Sequence, residues 1–509
     1  MAYPSKMILY LAVAGLLALN GTSSVSARAD VSQVRGAGAA GAAKTWGGPL
    51  EDISQATAVD SAGNVYVTGY FNGTVDFDPG SGINNHSASG GRDVFLSKLD
   101  ASGSLVWART WGGSGDDTGN GIAVDRFGNV FVSGRFQNTA DFDPGSGVET
   151  HVSLSGVAND AFVSKFDSNG TFQWARTWGG TFGDEAYGVA TDVFGNAYVV
   201  GDFSSPSVDF DPGAGVDSHV NSGMFDAFLS KFDPNGAFLW AKSWGGTLYD
   251  DGPRVVLDSA GNVYISGMFQ SQPGDFDPGS GVDLHSANGS IDVFLSKFDT
   301  NGNFLWARTW GGTGDDCGEA LAVDGSGNVY VTGYFSATVD FDPGSGVDTR
   351  VSSGDRDAFL SKLDTNGTYL WAKTWGGTGD DRAESIYLDG AGSLYLTGMY
   401  SGSIDFNPGS GVDFHTSNGA TDVFLSKLDT SGTYLWARTW GGSGDDAGIG
   451  MSGHSLDRVY VTGWYSASAD FSPWSGGEMH TSGGSRDAFL SIFTTFTYTN
   501  QCFLPNITR

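Results

Sequence analysis

Seven times along the chain, an acidic pair follows a tryptophan and a short glycine-rich stretch: Glu51-Asp52, Asp116-Asp117, Asp184-Glu185, Asp250-Asp251, Asp315-Asp316, Asp380-Asp381 and Asp445-Asp446. A longer loop in each unit carries a second set: Asp76/Asp78, Asp141/Asp143, Asp209/Asp211, Asp275/Asp277, Asp340/Asp342, then single Asp405 and Asp470. Closely spaced carboxylates on glycine-rich loops suit a hard cation such as Ca2+. The candidate ligands are Asp116, Asp117, Asp141, Asp143, Asp209, Asp211, Asp275, Asp277, Asp315, Asp316, Asp340 and Asp342. Asp141-Phe142-Asp143-Pro144-Gly145 begins like a calcium loop, but it lacks the later acidic ligand and carries a proline in its middle. The competing reading is internal. Aspartates cap turns through backbone N–H groups, and basic residues recur with the same repeat, at Lys98, Lys165, Lys231, Lys297, Lys362 and Lys427 and at Arg109, Arg176, Lys242, Arg308, Lys373 and Arg438.

Six of the 7 histidines (His86, His151, His219, His285, His415 and His480) share one repeat position in the long loop. Aspartate with histidine is a transition-metal set. The fifth unit has Arg350 there, however, and a slot that accepts His or Arg reads as a donor to a nearby carboxylate or carbonyl. Catalysis on a repeated scaffold needs one unit that differs from the rest. Glu319 with Cys317, Glu384 with Arg382, Arg254 and Tyr249 are such departures. Glu319 and Glu384 fall at equivalent positions of neighbouring units, where paired carboxylates do acid–base work and single ones are solvated surface. No Ser/His/Asp order, Gly-x-Ser-x-Gly, His-Glu-x-x-His or phosphate-cradling loop is present.

The elements that position these residues follow from the repeat itself. The phrase Trp436-Ala437-Arg438-Thr439-Trp440-Gly441-Gly442 recurs with its second tryptophan at Trp46, Trp111, Trp178, Trp244, Trp310, Trp375 and Trp440, at intervals of 65, 67, 66, 66, 65 and 65 residues. A period of that length with strand-like content marks a propeller or an array. One unit, read from Trp111, offers a loop, a short strand at Gly121–Asp125, a tight turn, a strand at Asn129–Phe136, a long loop, a strand at Asp160–Phe166, another turn, and a strand from Phe172 to Trp178. Four strands per unit and seven units predict an all-β, seven-bladed β-propeller. The tryptophans of the phrase, four residues apart, share one strand face and fill the wedge between blades. The last unit lacks the phrase after Asp487–Phe493. The orphan Lys44-Thr45-Trp46 is expected to complete it and close the ring, in preference to Phe496-Thr497-Tyr498-Thr499.

The units Ala322–Gly333 (Ala-Val-Asp-x-x-Gly-Asn-Val-Tyr-Val-Thr-Gly) and Asp93–Asp100 (Asp-Val-Phe-Leu-Ser-Lys-Leu-Asp) resemble the bacterial β-propeller repeat family SBBP, over roughly residues 42 to 493. The last unit departs most, with Asp457-Arg458 and Phe471-Ser472-Pro473-Trp474 in place of the usual motifs. The resemblance implies a secreted or cell-surface propeller and supplies no reaction.

Composition narrows the partners. Asp+Glu 57 against Lys+Arg 26 leaves a net charge of −31, which excludes nucleic acid and anionic lipid as natural partners. Lys6, the apolar run Met7–Leu19 and Val25-Ser26-Ala27 read as a secretory signal, removed before function, with no stable membrane insertion afterwards. The expected divisions are 1–27 signal peptide, 28–40 linker, 41–495 propeller and 496–509 tail. Cys317 and Cys502 are compatible with an exported chain that does not depend on disulfides. The expectation is an exported, monomeric, non-enzymatic module that binds an extracellular protein or glycan through an acidic loop face, with Ca2+ as the candidate ion. The alternatives are an extracellular polysaccharide hydrolase or lyase, and a structural envelope or matrix component.

Overall fold

The computed structural model describes residues 40–156, 158–454, 458–473 and 477–494. The signal-peptide and linker expectations, Trp474, Cys502 and the tail lie outside the described residues.

The described chain is all strand and turn, arranged as seven antiparallel blades. The first blade is built from Ile53–Val59, Val65–Asp76, Asn85–Leu99 and Leu105–Gly113. The next five repeat this plan, beginning at Thr118, Asp184, Asp250, Cys317 and Arg382. The seventh takes Asp446–His454, Arg458–Tyr465 and Asp487–Thr494 from the end of the chain and Ala40–Trp46 from its beginning. Trp46 lies opposite Ala488, as Trp111 lies opposite Val94 within the first blade. Thr45 Oγ1 meets His480 Nδ1 at 2.9 Å, as Thr110 Oγ1 meets His86 Nδ1 at 2.9 Å.

The core lies between blades. Seven apolar clusters occupy the seven junctions, each drawing on two adjacent blades. The second tryptophan of each phrase is the wedge: Trp178 is only 4% exposed and stacks on Phe232 of the next blade at 5.5 Å. The third-strand lysines latch the same junctions. Lys98, Lys165, Lys231, Lys297 and Lys362 donate to a backbone carbonyl in the following blade's turn, at 2.7–3.0 Å. The lysine ammonium also lies over a buried ring, as Lys165 Nζ lies over Phe131 at 5.1 Å from its centroid, so the charge keeps a second partner at the junction.

First strands touch their neighbours all round the ring and so line a central channel. Lead-in loops and the long second-to-third loops share one face, and tight turns occupy the other. This follows from four antiparallel strands per blade.

Candidate functional site: the channel mouth

The acidic pairs divide into two unlike residues. One member of each pair stands six residues after the tryptophan: Asp52, Asp117, Asp184, Asp250, Asp316, Asp381 and Asp446. All seven are buried. One carboxylate oxygen accepts a glycine N–H of the Trp-Gly-Gly corner at 2.6–2.7 Å, as in Gly113 to Asp117. In six of the blades the other oxygen takes an N–H from the end of the second strand, as in Gln137 to Asp117 at 3.0 Å. Burial pushes Asp117, Asp316 and Asp446 up to about 7, with backbone hydrogen bonds pulling the other way. Asp117 and Asp316 therefore brace a corner instead of ringing the channel.

The remaining members stay near the mouth. Asp116 accepts the Arg92 backbone N–H, and Asp315 pairs with Arg356 at 3.3 Å. Asp380 takes a two-pronged contact from Arg382, and Glu51 holds Arg92 at 2.7 Å. Glu51, Asp315 and Asp380 are thus held in local ion pairs at the mouth.

The long-loop aspartates are caps. Asp141 Oδ1 accepts the N–H of Asp143 at 3.1 Å and of Glu149 at 2.8 Å, and Asp143 Oδ1 accepts that of Gly145. Asp209/Asp211, Asp275/Asp277 and Asp340/Asp342 repeat the arrangement. In the sixth blade Asn407 does the second job, receiving Gly409 N–H at 2.9 Å, so a neutral oxygen suffices. Among the described residues no three His, Cys, Asp or Glu side chains converge as metal ligands. The hydrogen bonds these carboxylates accept are those of turn capping.

The recurring histidines sit in a packed slot. Nδ1 meets a fourth-strand hydroxyl, such as Thr439 beside His415 at 2.9 Å, and the ring stands edge-on to the Phe of the same loop. Nε2 faces the residue two positions earlier, at 3.4 Å for His415 and Asp413. Arg350 serves Asp348 in the same way at 2.9 Å.

What differs between blades is found in the channel. Each first strand carries a β-bulge three residues after the buried aspartate. A bulge frees one residue from the ladder and re-aims its side chain. The seven bulge residues are Gln55, Asn120, Tyr187, Pro253, Glu319, Glu384 and Ile449. Two cavities along the channel, ≈ 210 and ≈ 400 Å³, share Gln55, Asn120, Tyr187 and Arg254 in their walls. The larger adds Glu185, Asp251, Cys317 and Glu319. Cys317 is a buried free thiol in that wall.

Glu319 and Glu384 are half-buried bulge residues of neighbouring first strands, and Glu319 lines the larger cavity. Burial, and next the Glu319 charge, push both Asp251 and Glu384 up to about 8. Asp202, opposite Glu185 on the second strand, is raised well above the usual carboxylate range by burial and then by Asp251 and Glu185.

These bulged, tryptophan-closed blades have a counterpart among known repeats. Residues 106–135 match the SBBP β-propeller repeat. Beyond that repeat, the chain is 23% identical to an uncharacterized WD repeat-containing protein, L264, of Acanthamoeba polyphaga mimivirus, over 72% of this chain and 32% of that one. It is 27% identical to the regulatory protein FlaEY of Caulobacter vibrioides, over 79% of this chain and 42% of the relative. The chain thus spans less than half the length of these curated relatives. Among solved structures, a europium-containing methanol dehydrogenase aligns with a TM-score of 0.37 at 12% identity, covering 83% of this chain and 80% of that one.

The matched SBBP segment runs from the end of one blade into the next, through the Asp116-Asp117 pair and the bulge at Asn120. Two functional features escape a reading by pairs of acids. Asp184-Glu185 and Asp250-Asp251 are shifted by one position relative to the other five, which places Glu185 and Asp251 in the channel. Counting six residues from each tryptophan reveals this shift. The bulge carries no residue-type signal, because its seven occupants have so little in common.

Proposed function

We propose that the chain is an exported interaction module that engages a partner on the lead-in-loop face, around the channel mouth. The observation that carries this reading is the contrast between uniform blades and a bulge position occupied by Gln, Asn, Tyr, Pro, Glu, Glu and Ile. Residues that build the wedges, latches and caps repeat, whereas residues that face the channel are individual. Recognition needs a surface that is not seven-fold symmetric, and this is where the ring is least symmetric. The descriptions of the two relatives, a WD repeat-containing protein and a regulatory protein, agree with an interaction role. Export rests on the apolar run Met7–Leu19 and its flanks.

Site-specific photo-cross-linking tests the reading. A photo-reactive phenylalanine analogue is placed at Tyr249, on the proposed face, or at Ser326, in a tight turn of the other face, in the producing cells. A defined adduct from position 249 alone supports the proposal. Adducts from position 326 alone, or equally from both, overturn it. Sequencing of the mature N-terminus tests export.

A further inference from the structure

The channel-mouth reading leaves open what the partner presents, and the sector formed by the third to sixth blades answers that. Resting on that reading, we propose that this sector is a pocket for one cationic side chain, a lysine or arginine carried on an apolar loop of a protein partner.

Three observations converge. The first is the shift of the acidic pairs. Five blades keep an acid on the rim just before the buried aspartate, whereas the third and fourth have Gly183 and Tyr249 there and carry the acid two positions on, as Glu185 and Asp251. Together with Asp202 and the bulge residues Glu319 and Glu384, this sets five carboxylates around one side of the channel. Arg135 is committed to Glu185 at 2.8 Å, and Arg382 to Asp380. Arg92 in the cavity wall is held by Glu51, and Arg254 is the remaining basic group there, so acidic side chains outnumber basic ones.

The second observation is an unspent acceptor. Asp251 Oδ1 is closed off from solvent and has no hydrogen-bond partner. A buried carboxylate oxygen left unpaired is costly, and a donor brought by a ligand removes that cost. Burial and the Glu319 charge hold Asp251 and Glu384 up at about 8, so the pocket retains protons that an arriving cation would displace.

The third is the rim. Where the second, fifth, sixth and seventh blades show glycine followed by an acid and the first shows Leu50 before Glu51, the third presents Phe182, 56% exposed, and the fourth Tyr249, 40% exposed, the latter stacked on Phe225 at 5.0 Å. Met224 beside them is 45% exposed. A free metal ion or a small polyamine would have no use for this shelf, whereas a loop with apolar residues flanking its cation would cover it. The carboxylates are also spread over four blades and do not converge as metal ligands.

Fluorescence anisotropy with the mature chain tests the pocket. The probes are a labelled short peptide with arginine between leucines and its citrulline counterpart, with spermidine and CaCl2 as competitors. The arginine peptide is expected to bind at least about tenfold more tightly than the citrulline peptide, a difference of about 1.4 kcal/mol. Glu319→Gln, or separately Asp251→Asn, should erase that preference while thermal melting confirms a folded ring. Phe182→Ser with Tyr249→Ser should weaken both peptides alike. The proposal is overturned if neither peptide binds, if the arginine preference survives both acid variants, or if spermidine or CaCl2 displaces the peptide. Equal binding of both peptides, lowered by the rim substitutions, removes the cationic pocket but leaves the interaction face standing. Loss of the position-249 photo-adduct removes the face itself.

Discussion

The carboxylates of Asp93 and Asp117 face each other across the α-carbon of Gly112. A methyl group added there would stand 2.6 Å from Asp117 Oδ2 and 2.8 Å from Asp93 Oδ1. Asp93 begins a third strand and is 2% exposed. Its Oδ2 accepts the Ser89 N–H at 2.9 Å, and its Oδ1 has no partner. Every blade junction repeats the pairing, from Asp487 with Asp52 to Asp422 with Asp446, and in each one carboxylate raises the other.

This arrangement makes stability fall as pH rises. Burial holds Asp93, Asp292 and Asp422 up at about 6 and Asp117, Asp160, Asp316 and Asp446 at about 7. The ordinary aspartate value is 3.8. Between those limits the folded chain binds more protons than the unfolded one, so unfolding free energy decreases with pH. Stability from these groups is complete below about 4 and lost as pH passes through 6 to 7. The melting midpoint is expected to be higher at pH 5 than at pH 8 in scanning calorimetry. Asp93→Asn should reduce the slope, because an amide offers a donor to Asp117 and no charge. A flat or rising profile across that range would contradict the pairing.

The wedge tryptophans carry packing and no buried hydrogen bond. Trp178 Nε1 has no partner, and its ring lies between the second and third blades. Trp178→Ala should cost about 3–5 kcal/mol through the cavity it leaves. Trp178→Phe should cost no more than about 1.5 kcal/mol, since it keeps much of the ring and loses no donor contact. Urea unfolding of the two variants reads the difference directly.

The lysine latch is worth less than its regularity suggests. Lys165 Nζ donates to the Pro234 carbonyl at 2.7 Å, but Trp174 Nε1 also serves that oxygen at 3.1 Å. The seventh blade places Ile492 where the others have lysine. Lys165→Ile is therefore expected to fold and to lose about 1 kcal/mol in denaturant titration.

The long-loop aspartates should behave as caps. Asp141→Ala leaves the N–H groups of Asp143 and Glu149 without an acceptor and should cost about 1–2 kcal/mol. Asp143→Asn should be close to neutral, as Asn407 is in the sixth blade. The midpoint of the unaltered chain should not move between CaCl2 and EGTA; an upward shift with CaCl2 would restore the metal reading of these loops.

The architecture could be read from Trp46, Trp111 and their successors because a wedge must recur wherever a junction recurs. The packed, non-ligand role of His86 and its equivalents was legible through Arg350, a residue with the wrong chemistry for a ligand. The channel site was less so. Asp116 and Asp117 are neighbours in sequence yet point to different environments, one to the mouth and one into the corner, since successive residues of an extended chain face opposite ways. Glu319 and Glu384 looked like loop decoration because a bulge depends on backbone pairing with the second strand, which no residue type announces.

The strand Ala40–Trp46 has a bearing on how the molecule comes into being. It is the first-synthesised strand of the described ring, and its partner, Asp487–Thr494, is the last. Six blades can stack as each leaves the ribosome, but the seventh must wait, its third strand presenting open backbone, until Ala40–Trp46 returns. Assembly should therefore end in a slow, long-range docking step, and the intermediate before it, an open arc with one unpaired edge, is the species most prone to joining another copy of itself.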